Sequence, residues 1–164
     1  MNLTGETEAY FIGDVTYQPG GRFGPREQPD LQLFYLYSGS ATIEVDGDPM
    51  TFHPGEATLL IPHHQECFAF AIDEPSRHGW CGCLSPDLSA SCLDALGALP
   101  RRGRLTTRMA DLAAMALPLM ETTEPVAKQL RGTLARAILL EYLFSVGFSQ
   151  EEEPPPPPSV DRAR

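Results

Sequence analysis

"LQLFYLYSGSATIEVDGDPMTFHPGEATLLIP", residues 31–62, is a series of short runs of β-branched, aliphatic and aromatic residues, cut by Ser38-Gly39, Asp46-Gly47 and Pro54-Gly55. Its clearest piece is ATIEVDG, where Ala41, Ile43 and Val45 fall on one face of an extended strand and Thr42 and Glu44 on the other. Asp46-Gly47 then supplies the residue pair that a tight hairpin turn requires. Downstream, CFAFAID (67–73) and RHGWCGC (77–83) repeat the pattern. Strands spaced by such turn signals predict an antiparallel sandwich or small barrel over the first hundred residues.

After Cys83 the pattern changes. Ser85 is a candidate N-cap and Pro86 a first helical residue, followed by Leu88, Cys92, Leu93 and Leu96 at helical spacing up to Gly97 and Pro100. The next segment, LTTRMADLAAMALPLM (105–120), lines up Met109, Leu112, Ala116 and Leu119, with Pro118 expected to kink or end the helix. A third helix is predicted from Thr123 as N-cap and Pro125 in its first turn, with Val126, Leu130, Leu134, Ala137, Ile138 and Glu141 along one stripe. That stripe suits either a dimer interface or packing on the chain's own barrel. The segments divide as a barrel with a short helix (1–100), a helical region (101–150) and an acidic, proline-rich tail (151–164).

The chain has 164 residues, 42% of them hydrophobic, enough for one core, and a net charge of −10. Such a charge repels phosphate backbones, so DNA binding by these residues is not expected. The N-terminus lacks a basic-then-apolar leader and no apolar run is long enough to span a bilayer, which predicts a cytoplasmic protein without membrane contact. In that compartment Cys67, Cys81, Cys83 and Cys92 are expected as free thiols, Cys81 and Cys83 as small apolar fillers. EEEPPPPP (151–158) reads as a solvated polyproline spacer of roughly 15 Å, leading to another domain or forming a plain C-terminus.

IPHHQECF (61–68) gathers two histidines, a glutamate and a cysteine, all metal-ligand types. Neighbours on a strand point to opposite sides, so His63, His64, Glu66 and Cys67 are not expected to converge on one ion. His53 and His63 read as surface or rim residues. His78 and Trp80, two apart on a strand, share a face: they form either a flat hydrogen-bonding platform for a ligand or a tryptophan that closes the barrel as core.

The β-rich part resembles the cupin barrel, whose first motif is G-x5-H-x-H-x3-E-x6-G. Gly20, Arg26, Gln28, Gln32 and Gly39 keep that spacing without a gap, while both histidines and the glutamate are replaced. Setting Pro62 on the proline of the second motif puts Cys67 at its metal-binding histidine, although the leading glycine, Gly55, then stands one residue too far away. The resemblance therefore implies that Arg26, Gln28, Gln32 and Cys67 occupy the former metal corner. A guanidinium has no lone pair to give and amide oxygens suit no soft transition metal, so no metal and no cofactor are expected there.

Residues 19–62 with RHGW and the later LDALGALP (93–100) also resemble the N-terminal sensor domain of AraC-type transcriptional regulators, over roughly residues 8–147. The features are Ser38-Gly39, Val45 to Gly47, Pro54 to Glu56 and Leu60 to Pro62, in this order and spacing. The resemblance implies a mainly β protein, a jelly-roll (double-stranded β-helix) cupin barrel followed by two or three α-helices. It implies a non-catalytic domain that binds a small effector, dimerises through the helix at 123–147, and acts on DNA only through a helix-turn-helix domain beyond the tail. SVDRAR (159–164), with Val160 and Ala163, looks like the start of that domain. In the arabinose-responsive member a His-x-Trp pair contacts the sugar, and His78 and Trp80 match it; Ser38 stands where that member carries a pocket arginine, so another effector, a sugar or a small anionic or carbonyl compound, is expected.

On these grounds the expected ligand-binding residues are Arg26, Gln28 and Gln32 as polar contacts, Cys67 as pocket floor, and His78 with Trp80 as a stacking pair, with no catalytic residue. A metal-dependent cupin enzyme and a standalone sugar-binding cupin are the alternatives.

Overall fold

The computed structural model describes residues 9–84 and 86–149. Nine strands run in chain order: β1 Tyr10–Tyr17, β2 Arg22–Glu27, β3 Leu31–Ser38, β4 Ala41–Val45, β5 Asp48–Phe52, β6 Glu56–Leu60, β7 Gln65–Phe70, β8 Ser76–Cys83 and β9 Gly103–Arg104. Three α-helices accompany them: α1 Ala90–Gly97, α2 Thr107–Ala116 and α3 Pro125–Ser145. One sheet has the order β1-β8-β3-β6-β9, the other β2-β7-β4-β5, with every pairing antiparallel. Strands 1 with 8, 2 with 7, 3 with 6 and 4 with 5 are thus nested pairs of one long folded ribbon, which is the jelly roll expected from the sequence.

The β4–β5 hairpin follows from its turn. Asp46 and Gly47 both take positive φ, 50° and 83°, as a two-residue hairpin matched to strand twist requires. Asp46 also accepts from the Gln65 amide (2.8 Å) and pairs with His64, so the carboxylate ties the hairpin to the start of β7. His64 is thereby accounted for at the surface, and His53 and His63 have mostly exposed side chains beside Glu56 and Glu27.

β3 explains why its run, LQLFYLY, does not alternate in polarity: it is central and covered on both faces. Leu31, Leu33 and Tyr35 point outward into a core shared with the helices, while Phe34 and Leu36 point into the barrel. The outer core also takes Ile12, Cys81, Met109, Ile138 and Tyr142, so barrel and helices are held by one apolar cluster across the boundary drawn at residue 100. β9 crosses that boundary too, pairing with β6.

The helix starts differ from the sequence expectation. Ser85 lies outside the described residues, and α1 begins after Ser89, whose hydroxyl accepts from the Cys92 amide (3.2 Å). Pro86 therefore precedes the helix, because the serine three residues later satisfies a first-turn donor that Pro86 leaves untouched. α3 opens at Pro125 with Glu124, not Thr123, as N-cap and without a side-chain cap; Pro125 has no N–H, which leaves one first-turn donor fewer to satisfy. Pro118 ends α2 as expected, and Leu117–Leu119 continue as a 3-10 turn. The tail from residue 150 on, with its polyproline run and SVDRAR, lies outside the described residues. Among the described residues no helix is long and apolar enough to cross a membrane.

α3 packs against α2, β1 and β8. Leu134, Ala135, Ile138, Leu139, Tyr142 and Leu143 are buried in that contact, so Leu134 and Ile138 of the predicted stripe serve its own barrel, Ala137 and Glu141 are half-buried, and Val126 and Leu130 stay exposed. Ile138→Ala is expected to cost about 2–5 kcal/mol by opening a cavity in the shared core. Gln129→Ala, on the exposed side of the same helix, should change stability by about 0.5 kcal/mol or less. Urea unfolding of both variants checks the assignment; equal effects would contradict it.

Candidate functional site

The barrel opens into a cavity of about 270 Å³. Its walls come from five strands: Val15 and Tyr17 on β1, Phe23 and Arg26 on β2, Gln32 on β3, Phe68 and Phe70 on β7, and His78 and Trp80 on β8. Strand alternation explains most of this set, since Phe68 and Phe70 share one face of β7 and His78 and Trp80 one face of β8.

β2 breaks alternation, and the break builds the site. Phe23 pairs with Phe68 and Arg26 with Glu66, so the partner strand advances two residues while β2 advances three. This bulge turns Phe23 and Arg26, three apart, to the same interior side. Gly24 permits it: its φ is +88°, and a Cβ there would stand 2.8 Å from the Glu66 carbonyl oxygen. The Arg26 guanidinium then lies over the Phe23 ring, 4.8 Å from its centre.

Arg26 Nε donates to Glu66 Oε1 at 2.8 Å, and Gln28 Nε2 donates to the same oxygen at 3.0 Å. Arg26 Nη2 lies 3.4 Å from Gln32 Oε1. Glu66 is almost completely buried, and burial raises its pKa against the opposing effects of Arg26 and then Gln28.

Among the expected site residues, Arg26, Gln32, His78 and Trp80 come together on the cavity wall. Two do not line it. Gln28 is fully buried behind the wall, where its carbonyl accepts from the Asp30 amide (3.1 Å) and its amide braces Glu66. Cys67 is corrected outright: it sits on the other face of β7 from Glu66 and Phe68, opposite Glu44 of β4. The displaced Gly55 marked this one-residue slip, and a slip of one swaps the faces of a strand. Glu66 is the site residue that sequence reasoning missed, although its position two before Phe68 and four before Phe70 puts it on their inward face.

The corner where the cupin motifs carry metal ligands thus holds a guanidinium bound to a carboxylate, with two carboxamides around them. These side chains do not fit a cation: Glu66 Oε1, the anionic acceptor, already takes two N–H donors, and one donor is positively charged. Among the described residues no group of three or more His, Cys, Asp or Glu converges. The four cysteines are unpaired, and burial holds the Cys81 thiol well above its ordinary range.

His78 is stacked within aromatic rings: Phe34 at 4.8 Å, Phe70 at 5.2 Å and Tyr17 at 5.8 Å. Its Nδ1 is buried without a hydrogen-bond partner among the described residues, and burial pushes the imidazole down to about 4. It is therefore neutral at ordinary pH. Trp80 lies against Gly13 of β1, where a Cβ would come within 2.4 Å of Cζ2, so the indole occupies the space that glycine leaves. The pair is both wall and packing, joining the two readings that the sequence left open.

The fold has solved counterparts. An RmlC-like cupin from Shewanella frigidimarina aligns at 12% identity over 49% of this chain and 70% of that one, with a TM-score of 0.44. A cupin 2 conserved barrel domain protein from Salinispora arenicola aligns at 18% identity over 59% and 77%, TM-score 0.43. KdgF from Halomonas sp. aligns at 23% identity over 51% and 76%, TM-score 0.43. No protein-family model and no curated protein matches the sequence. These likenesses carry no argument about function, and the strand order establishes the jelly roll independently.

The His78 environment has a consequence in pH. Because its folded pKa of about 4 lies below the ordinary 6.5, the unfolded chain binds a proton between those values that the folded chain refuses. Its contribution is complete above pH 6.5 and is lost as pH falls toward 4, by roughly 3 kcal/mol in total. Glu66, shifted upward, works in the opposite direction, so the two are separated by substitution. His78→Phe, which keeps the ring stack and removes the titration, should flatten the fall in urea stability across this range; an unchanged slope would show that His78 is not the group responsible.

Proposed function

We propose that the chain is the effector-binding and dimerisation domain of an AraC-type transcriptional regulator: a barrel that binds a small organic molecule without transforming it, and a helical face through which two copies associate. The supporting observation is the cavity itself, an aromatic chamber with Arg26 and Gln32 on its wall and a former metal corner closed by the Arg26–Glu66 pair. Such a chamber offers recognition groups and shape. The charged groups of that corner, Arg26 and Glu66, are engaged with each other, which favours a binding role over a catalytic one.

What α3 leaves uncovered supports the dimerisation reading. Val126, Leu130, Leu140 and Phe144 are exposed large apolar residues. With Thr133 and Ala137 they recur in steps of four and three, the 3.5-residue period of a coiled-coil seam. The partner that fits such a seam is a second copy, because a two-fold interface sets one stripe against the same stripe. On this reading the interface lies on the side of α3 away from the barrel, while Leu134 is buried on the core side.

A thermal-shift screen of small metabolites tests the ligand half: at least one should raise the melting temperature by mass action, and Trp80→Ala should lose that shift. For the helical half, the variant with Leu130→Glu and Phe144→Glu should sediment as a folded monomer while the parent sediments as a dimer. A parent monomer, or a variant that stays dimeric, would contradict the seam; no shift from any metabolite would contradict the pocket.

A further inference from the structure

Resting on the reading of the barrel as an effector site, we propose the class of molecule it takes: a flat aromatic compound of one or two rings, bearing a ring-conjugated carboxylate or carbonyl oxygen, in preference to a sugar. The walls argue for the ring. Tyr17 stacks on Phe70 with centres 4.1 Å apart and planes 11° apart; Phe70 stacks on His78 at 5.2 Å and 11°. Phe68 lies 13° from parallel to Phe70. These rings cover one another's facing surfaces, so what the stack offers the cavity, together with Trp80 and Phe23, is ring edges and outer surfaces, which meet a planar guest in edge-to-face or offset contact.

Size agrees. A cavity of roughly 150 Å³ accommodates benzene, and this one has about 270 Å³, room for a ring with substituents or a fused pair.

Polarity decides against a sugar. A sugar carries a hydroxyl on nearly every carbon, and each one buried without a partner costs about 1–3 kcal/mol. The hydrogen-bonding side chains on the wall are Arg26, Gln32, His78, Tyr17 and Trp80, of which Arg26 alone carries a charge. Fewer than half of the groups a bound sugar would need for all its hydroxyls and ring oxygen are then in place, whereas they are ample for one acceptor group on an otherwise apolar molecule.

Arg26 is the donor for that acceptor. Its Nε is engaged by Glu66, which fixes the fork, while the Nη2 contact to Gln32 Oε1 is long, 3.4 Å. A ligand oxygen at normal hydrogen-bond length replaces Gln32 Oε1 with a net gain. Because Glu66 balances the charge of Arg26, the corner accepts a neutral carbonyl or a carboxylate; the shared feature is the conjugated acceptor.

Trp80 is the chain's one tryptophan, so its fluorescence reports this cavity directly. The full chain is titrated with sodium benzoate, benzamide, cyclohexanecarboxylate and L-arabinose, with calorimetry alongside. Benzoate or benzamide should change Trp80 emission saturably, with cyclohexanecarboxylate roughly 3–10-fold weaker for loss of ring contacts, and arabinose silent. The double variant R26Q/E66Q, which strands no buried charge, should bind the aromatic probe roughly 10–100-fold more weakly. Equal or tighter binding of cyclohexanecarboxylate or arabinose overturns the ring class and leaves the effector site standing. Silence to both aromatic probes overturns it as well; if the metabolite screen is silent too, the effector-site reading falls with it.

Discussion

The hydrogen bonds from Arg26 and Gln28 to Glu66 fix one corner of the barrel. A carboxylate so deeply buried is tolerable only with donors in place, and they come from β2 and from the residue just after it. The bulge at Gly24 brings the guanidinium round, and the same bulge sets Phe23 into the wall. One backbone irregularity therefore supplies both a charged and an apolar feature of the cavity wall. It also closes that corner with a pair of side chains that satisfy each other.

From that corner the cavity communicates with the helices through shared strands. β1 and β8 present Val15, Tyr17, His78 and Trp80 to the cavity, and on their other faces Tyr10, Ile12 and Cys81 enter the core under α3. A ligand that shifts β8 against β1 shifts the platform on which α3 rests. Packed cores rearrange between discrete arrangements instead of deforming smoothly, so cavity wall and helix packing are mechanically linked.

The amino-acid pattern carried much of this fold, unevenly. The β4–β5 hairpin was legible because Asp46-Gly47 and the alternation of Ala41, Ile43 and Val45 are local signals. β1 and β2 were not among the strands read from the sequence: Gly13-Asp14 and Gly24-Pro25 interrupt them, and those interruptions serve the site, one making room for Trp80 and the other turning Arg26 inward. Motif spacing placed Arg26 and Gln32 correctly. It failed at Cys67, where one extra residue after Gly55 exchanged the faces of β7 and hid Glu66. The extent of α3 was legible, whereas which side of it meets the barrel depends on contacts far apart in the chain.

The account rests on Arg26 and Glu66 acting as a unit, and a double-mutant cycle measures that directly. Stabilities of the parent, Arg26→Gln, Glu66→Gln and the double variant give their coupling. With Glu66 buried and Arg26 partly exposed, the expected value is roughly 1–3 kcal/mol, below that of a fully buried pair. Additive effects, with no coupling, would mean that the two side chains do not hold each other and that the corner is built in another way.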